Sequence, residues 1–373
     1  MSIKKPSIHF LALKIFSFTG GIEKMSRVVC RALYELEEEG KCTVKVSSMY
    51  DLPIERDSRY TPAWSFKGYG KQKIWFVIIS IIRLFKTDVV IISHVNLLFI
   101  AAIVSTFKPS IRIYLFAHGI EIWPPLNSWQ KFFLRKMNVL AVSTFTKNKI
   151  VEVQGLNPQK VFVLNNALDP FYEFPASFEK PKTLLTRYEI APQQSVLFTL
   201  TRLANTEKYK GYDLIIEVLP AIIKQYPNLR YLIGGKYDEK EKARLNQLIL
   251  QNNLEENVKL LGFLDEIELT EHFLLADTFI MPSKKEGFGI VFIEAMASGL
   301  QVIGGNQDGT TDALDHGKLG VLINPEDKEE VKEAILKSLE KPLNLEERKA
   351  LQEKCIKKFS FIAYKKTLED ILF

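Results

Sequence analysis

Cysteine is scarce, with only Cys30, Cys42 and Cys355 among 373 residues. An odd number at wide spacing supports neither a disulfide framework nor a zinc site, so the chain reads as one for a reducing, cytoplasmic compartment. Long apolar runs are also missing. The best candidate, Ile74 to Phe85, is too short to cross a bilayer and is interrupted by Arg83, so no transmembrane helix is expected. The opening MSIKKPSIHFLALKIF pairs two lysines with a short apolar run, but His9 and Lys14 break it and no small-residue cleavage site follows. It reads as a buried first strand rather than a signal peptide. The spacing G-x-G-x-x-G occurs nowhere, which removes NAD and a dehydrogenase from consideration. No nucleic-acid recognition module is visible either.

What remains is an ordinary globular composition, 47% hydrophobic and 25% charged, at a length that allows two domains each with its own core. The net charge of +6 conceals an asymmetry. Residues 1–168 carry 23 Lys and Arg against 11 Asp and Glu, and the remainder carries 27 against 33. The basic first half suits a negatively charged partner.

Patterning along the chain alternates strand and helix. Residues 7–16 read as a strand, Thr19, Gly20 and Gly21 as a turn, and residues 22–39 as a helix with apolar positions at helical spacing. Further strands are expected at Thr43–Ser47, Asp88–Ser93, Ile111–Ala117, Val139–Val142 and Val161–Leu164. Runs such as VVII and IYLF suit strands buried on both faces of a parallel sheet. Turn formers at Asn165–Pro170, followed by Pro175 and Pro181, mark a boundary. Beyond it the alternation resumes, with strands at Val196–Thr201, Leu229–Gly234, Val258–Leu261, Thr278–Met281, Gln301–Ile303 and Gly320–Ile323, and helices such as Tyr212–Gln225 and Glu239–Asn252. The expected fold is α/β, with two Rossmann-like doubly wound domains and a ligand cleft between the carboxyl ends of their sheets. The domains are residues 1–168 and 169–357. An amphipathic helix over about 358–373 crosses back to the first.

The stretch Pro282–Gly305 (PSKKEGFGIVFIEAMASGLQVIGG) concentrates the chemistry. A glycine turn opening a helix leaves backbone N–H groups directed outward, which suits a phosphate. Glu286 and Glu294 beside such a site are electrostatically odd unless they bind sugar hydroxyls, and a nucleotide-sugar would satisfy both features.

The segment EGFGIVFIEAMASG resembles the signature of retaining glycosyltransferases of family 4, which have the two-domain glycosyltransferase B fold, and the resemblance extends over nearly the whole chain. It implies that Glu286 contacts hydroxyls of the transferred sugar and that Glu294 holds the ribose hydroxyls. It also places Gly287, Phe288, Gly289, Ile290 and Val291 around the sugar and diphosphate. TRLANTEKYKGYDLI resembles the family segment whose Arg and Lys neutralise the departing diphosphate. That assigns Arg202 and either Lys210, which abuts Gly211, or Lys208, since fixed cations stabilise growing leaving-group charge without reorganising. Gly20 and Gly21 resemble the family's glycine loop, with Gly21 near the donor, although the same residues also suit a plain turn. His118, in LFAHGIE, matches a His-Gly that faces the reacting sugar, whereas a lone histidine is commonly structural. Ser143 and Thr146 read as helix caps. Two departures stand out: Gln301, where the family often has Pro, and the loop Gly304–Asp312. No Asp-x-Asp occurs, so the usual metal-diphosphate clamp is missing and neither a metal nor another cofactor is expected.

Two stretches, Lys67–Lys86 and Trp129–Met137, mix cations with large apolar groups. They suit either an anionic membrane surface or core-facing helices whose lysines reach to water. The resemblance implies a hexosyltransferase using a UDP- or GDP-linked donor and a glycan or lipid-linked acceptor. Cell-surface polysaccharide or glycolipid synthesis would employ such an enzyme, on the inner face of the membrane. The alternatives on the same fold are a nucleotide-sugar epimerase and a non-catalytic partner subunit. Base selectivity would rest on backbone near Gly262–Leu264.

Overall fold

The computed structural model describes residues 5–373. The first four residues of the expected opening domain, with Lys4 of its lysine pair, lie outside the described residues. The chain divides into two compact units, Met1–Phe171 with Phe359–Phe373, and Tyr172–Lys358.

The first unit is built on a seven-stranded sheet. Its strands are β1 (Ser7–Ala12), β2 (Thr43–Ser48), β3 (Phe66–Gly68), β4 (Val89–Ile92), β5 (Arg112–Ala117), β6 (Asn138–Ala141) and β7 (Val161–Val163), in the order β3-β2-β1-β4-β5-β6-β7. The second unit has six strands: β8 (Val196–Leu200), β9 (Arg230–Gly234), β10 (Val258–Gly262), β11 (Thr278–Met281), β12 (Gln301–Gly305) and β13 (Val321–Ile323), in the order β10-β9-β8-β11-β12-β13. Adjacent strands in both sheets pair in parallel, for example Phe10 with Ile91 and Ile280 with Ile303. Parallel neighbours need crossover connections, and the helical segments between the strands supply them. All four residues of β4 and of β11 are buried, as a strand covered on both faces requires. Each unit has its own apolar core.

This is the expected pair of Rossmann-like units, with local corrections. The strand expected over residues 7–16 stops at Ala12, because the buried carboxylate of Asp51 takes the next N–H groups. Ile15 donates at 2.7 Å and Ser17 at 2.9 Å. The three-residue edge strand β3 carries no sequence pattern long enough to read. The C-terminal helix Phe361–Leu372 packs within the first unit. Lys365 Nζ reaches Glu35 and Glu39, each at 2.7 Å, and Arg112 donates to the Leu372 carbonyl at 2.7 Å.

In doubly wound sheets, ligands bind at the carboxyl ends of the strands where the order reverses. Those points are β1 and β4 in the first unit and β8 and β11 in the second.

Candidate active site

At the switch point of the second unit, β11 runs into Pro282–Gly289 and then into the helix Ile290–Ala297. Phe288 is 1% exposed, and its burial contributes about 1.5–3 kcal/mol toward anchoring the turn. Gly289 caps the helix in the left-handed region (φ +85°), and a Cβ there would sit 2.5 Å from the Phe292 ring. Only glycine satisfies both conditions. The helix behind it is almost wholly apolar and buried, yet it carries Glu294 at 5% exposure. An acid there is too enclosed to be a solvated helix residue.

The adjacent loop, after β8, brings the cations. Arg202 closes the strand and is largely exposed, with its guanidinium paired to Glu207. A short turn, Lys208–Lys210, then presents Lys210, whose ammonium pairs with Glu286. Lys208 points to exposed surface, so it is Lys210 that the structure joins to Glu286. Burial alone would depress the Lys210 pKa, but the Glu286 carboxylate more than offsets it and the group stays above its ordinary value. The two loops are tied by Lys284 N–H donating to the Tyr209 carbonyl at 2.9 Å.

In the first unit, Gly20 and Gly21 open the helix Gly21–Glu38 after β1, and His118 follows β5. The His118 backbone N–H donates to Glu121 at 2.6 Å. Its Nε2 lies 3.0 Å from the Ser93 carbonyl, which can only accept, so Nε2 carries the proton and Nδ1 is left as an acceptor. Burial lowers its pKa to about 4, against the pull of the Ser93 carbonyl. The imidazole is therefore neutral at physiological pH. Ser143 is the N-cap of the helix Thr144–Gln154, accepting the Thr146 N–H at 3.0 Å.

Each unit also matches a family model: Glycosyltransferase Family 4 over residues 20–170, and Glycosyl transferases group 1 over residues 188–358. The chain belongs to glycosyltransferase family 4. Among relatives of family 4 type, it is 28% identical to a phosphatidylinositol N-acetylglucosaminyltransferase of Arabidopsis thaliana, over 57% of this chain and 44% of that protein. It is also 28% identical to the GDP-mannose-dependent alpha-(1-6)-phosphatidylinositol monomannoside mannosyltransferase of Mycobacterium tuberculosis, over 61% and 60%. The chain thus spans about half the length of the curated relatives it matches. Its fold is similar to that of Anabaena HepE, crystallised with UDP and glucose, with a TM-score of 0.76 and 18% identity over 98% of this chain and 99% of that one.

This family 4 chain also contains positioning groups that the sequence pattern does not reveal. The fully buried Asp308 accepts the N–H of Glu286 at 2.6 Å and that of Thr310 at 2.9 Å. Next to it, the Gly309 N–H donates to the Glu286 carbonyl at 2.8 Å. A Cβ on Gly309 would fall 2.0 Å from the Gly287 carbonyl oxygen, so the atypical loop Gly304–Asp312 and the Glu286 turn can meet only through glycine. Asp51, which gathers the N–H groups after β1 and the Ser48 hydroxyl at 2.6 Å, plays the equivalent part in the first unit. A lone aspartate in a turn carries no sequence signal for that role. Gln301 also finds a reason: its amide donates to Thr278 Oγ1 at 2.9 Å and to the Ser338 carbonyl at 3.0 Å, bonds that a proline could not make.

Proposed function

We propose that this chain transfers a hexosyl unit from a nucleoside-diphosphate sugar to a glycan or lipid-linked acceptor, with retention of anomeric configuration. The observation that carries the reading is the joining of Lys210 to Glu286 at the β8–β11 switch point, with Arg202 on the same loop. A diphosphate needs the cations and a hexose needs the carboxylate, and the two are adjacent. Relatives named as GDP-mannose-dependent and N-acetylglucosaminyl transferases, and the UDP held by HepE, support a nucleotide-linked donor.

In this mechanism Glu294 holds the ribose hydroxyls, and the N–H groups of the Gly287–Val291 turn face the sugar and diphosphate. Arg202 and Lys210 neutralise the leaving group in place of a metal ion. The bond from the anomeric carbon to the phosphate oxygen breaks as the acceptor oxygen bonds to the same face. The acceptor's proton passes to the departing phosphate, and neutral His118 and Glu286 position the sugar. Thermal-shift measurements with UDP-, GDP- and ADP-sugars test the donor: one series should raise Tm with ligand concentration, as mass action requires. A flat response to all three would end the reading.

The acceptor side of the proposal is an anionic membrane surface. The helix Lys73–Leu84 exposes Ile74, Trp75, Ile78 and Ile82, and the helix Ser128–Leu134 exposes Trp129 and Phe132, with lysines at the margins of both. Core-facing helices would hide these groups, whereas a contiguous apolar patch with a basic rim suits a bilayer of anionic lipid. No helix among the described residues is long and apolar enough to cross a membrane. The protein should float with vesicles containing phosphatidylglycerol, and Trp75→Ser with Ile78→Ser should abolish that binding. Retention of the double variant on the vesicles would remove this face from the proposal.

A further inference from the structure

The pairing of Arg202 is unequal. Its own side chain is 64% exposed, whereas that of Glu207 is 11% exposed. The carboxylate is enclosed and fixed, and the guanidinium is the partner free to leave. Glu207 is held by its backbone as well: its N–H donates to the Ala204 carbonyl at 2.7 Å, and its carbonyl accepts the Lys210 N–H at 3.1 Å. The turn that presents Lys210 therefore also carries a fixed negative charge directed at Arg202. That charge helps to raise the Lys210 pKa too, behind the larger contribution of Glu286.

We propose that Glu207 is a built-in competitor of the diphosphate, occupying Arg202 when donor is absent and setting how tightly nucleoside diphosphates are held. The inference rests on the reading of Arg202 as a diphosphate ligand. A diphosphate that binds Arg202 must draw the guanidinium away from Glu207, and the enclosed carboxylate stays behind as a like charge close to the anion. Donor and product are both held less tightly than the cations alone would hold them, and the nucleoside diphosphate product leaves more readily. An ion pair that served only to hold the loop would act differently: breaking it would loosen the Lys210 turn and weaken anion binding.

Titration calorimetry with inorganic pyrophosphate, UDP and GDP at fixed ionic strength separates these cases. Glu207→Gln should bind pyrophosphate and the preferred nucleotide roughly threefold to tenfold more tightly than wild type, about the worth of one partly screened charge pair. Glu207→Ala, which leaves no amide beside the guanidinium, should show the same gain. The gain should vanish when either change is combined with Arg202→Ala. Unchanged or weaker binding in both variants, or a gain that persists without Arg202, overturns the inference. Arg202→Ala alone tests the underlying reading: weakened binding there with no gain at Glu207 sinks only the competitor role. Undiminished binding in Arg202→Ala removes both.

Discussion

Lys210→Ala is expected to lower kcat/KM for glycosyl transfer by roughly 10²–10³-fold, the usual loss when one preorganised group facing developing negative charge is removed. The ammonium is enclosed and already carries its positive charge, so no reorganisation is needed as the leaving group departs. The same substitution strands the Glu286 carboxylate at 19% exposure, which also costs stability. A double-mutant cycle separates the two effects. If Lys210 served only to neutralise Glu286, adding Glu286→Gln would restore activity. If each residue meets a different part of the donor, the double variant should be no more active than the weaker single one. Turnover of Lys210→Ala within about tenfold of wild type would remove the lysine from the mechanism.

Asp308→Ala should lower both stability and turnover, although Asp308 lies 22 residues from Glu286 in the chain. It strands two buried N–H groups, at about 1–3 kcal/mol each, and releases the turn that aims Glu286. Asp308→Asn should be milder, since one carbonyl oxygen remains to accept. Wild type should also show an acidic limb. Burial pushes the Asp308 carboxyl up to about 6 against the hydrogen bonds from Thr310 and Glu286, and the Glu286 charge adds to the rise. Because the folded pKa exceeds the unfolded one, the native state takes up the proton first as pH falls. Between about pH 6 and pH 4 this group therefore adds to stability with falling pH. Activity should move the other way, because a protonated oxygen no longer accepts the Glu286 N–H. A pH–rate profile for Asp308→Asn that keeps the limb near pH 6 would exclude Asp308 as its source.

The residues legible in advance share a property. Glu286, Gly289 and Glu294 belong to one turn and helix, so their spacing along the chain fixes their geometry, and the resemblance of EGFGIVFIEAMASG to a known pattern could be read directly. The βα alternation was equally local, since strand and helix periodicity are set by neighbours within a few residues. Where an interaction depended on a distant partner, the pattern fell short. Thr19–Gly21 was readable as a turn, but the early end of β1 was not, because the acceptor for its following N–H groups is Asp51.

By itself, then, the sequence determined two parallel α/β units, the glycine turn with its two glutamates, and the presence of cations after β8. Tertiary structure alone decided that Lys210 rather than Lys208 meets Glu286, that Asp308 holds the Glu286 backbone, and that Glu207 covers Arg202. It also decided that the apolar groups of Lys73–Leu84 face outward. The reason is physical. Covalent spacing fixes contacts within a turn or a helix, whereas the contact between the loops after β8, β11 and β12 follows from the order of strands in a sheet, which no local stretch encodes.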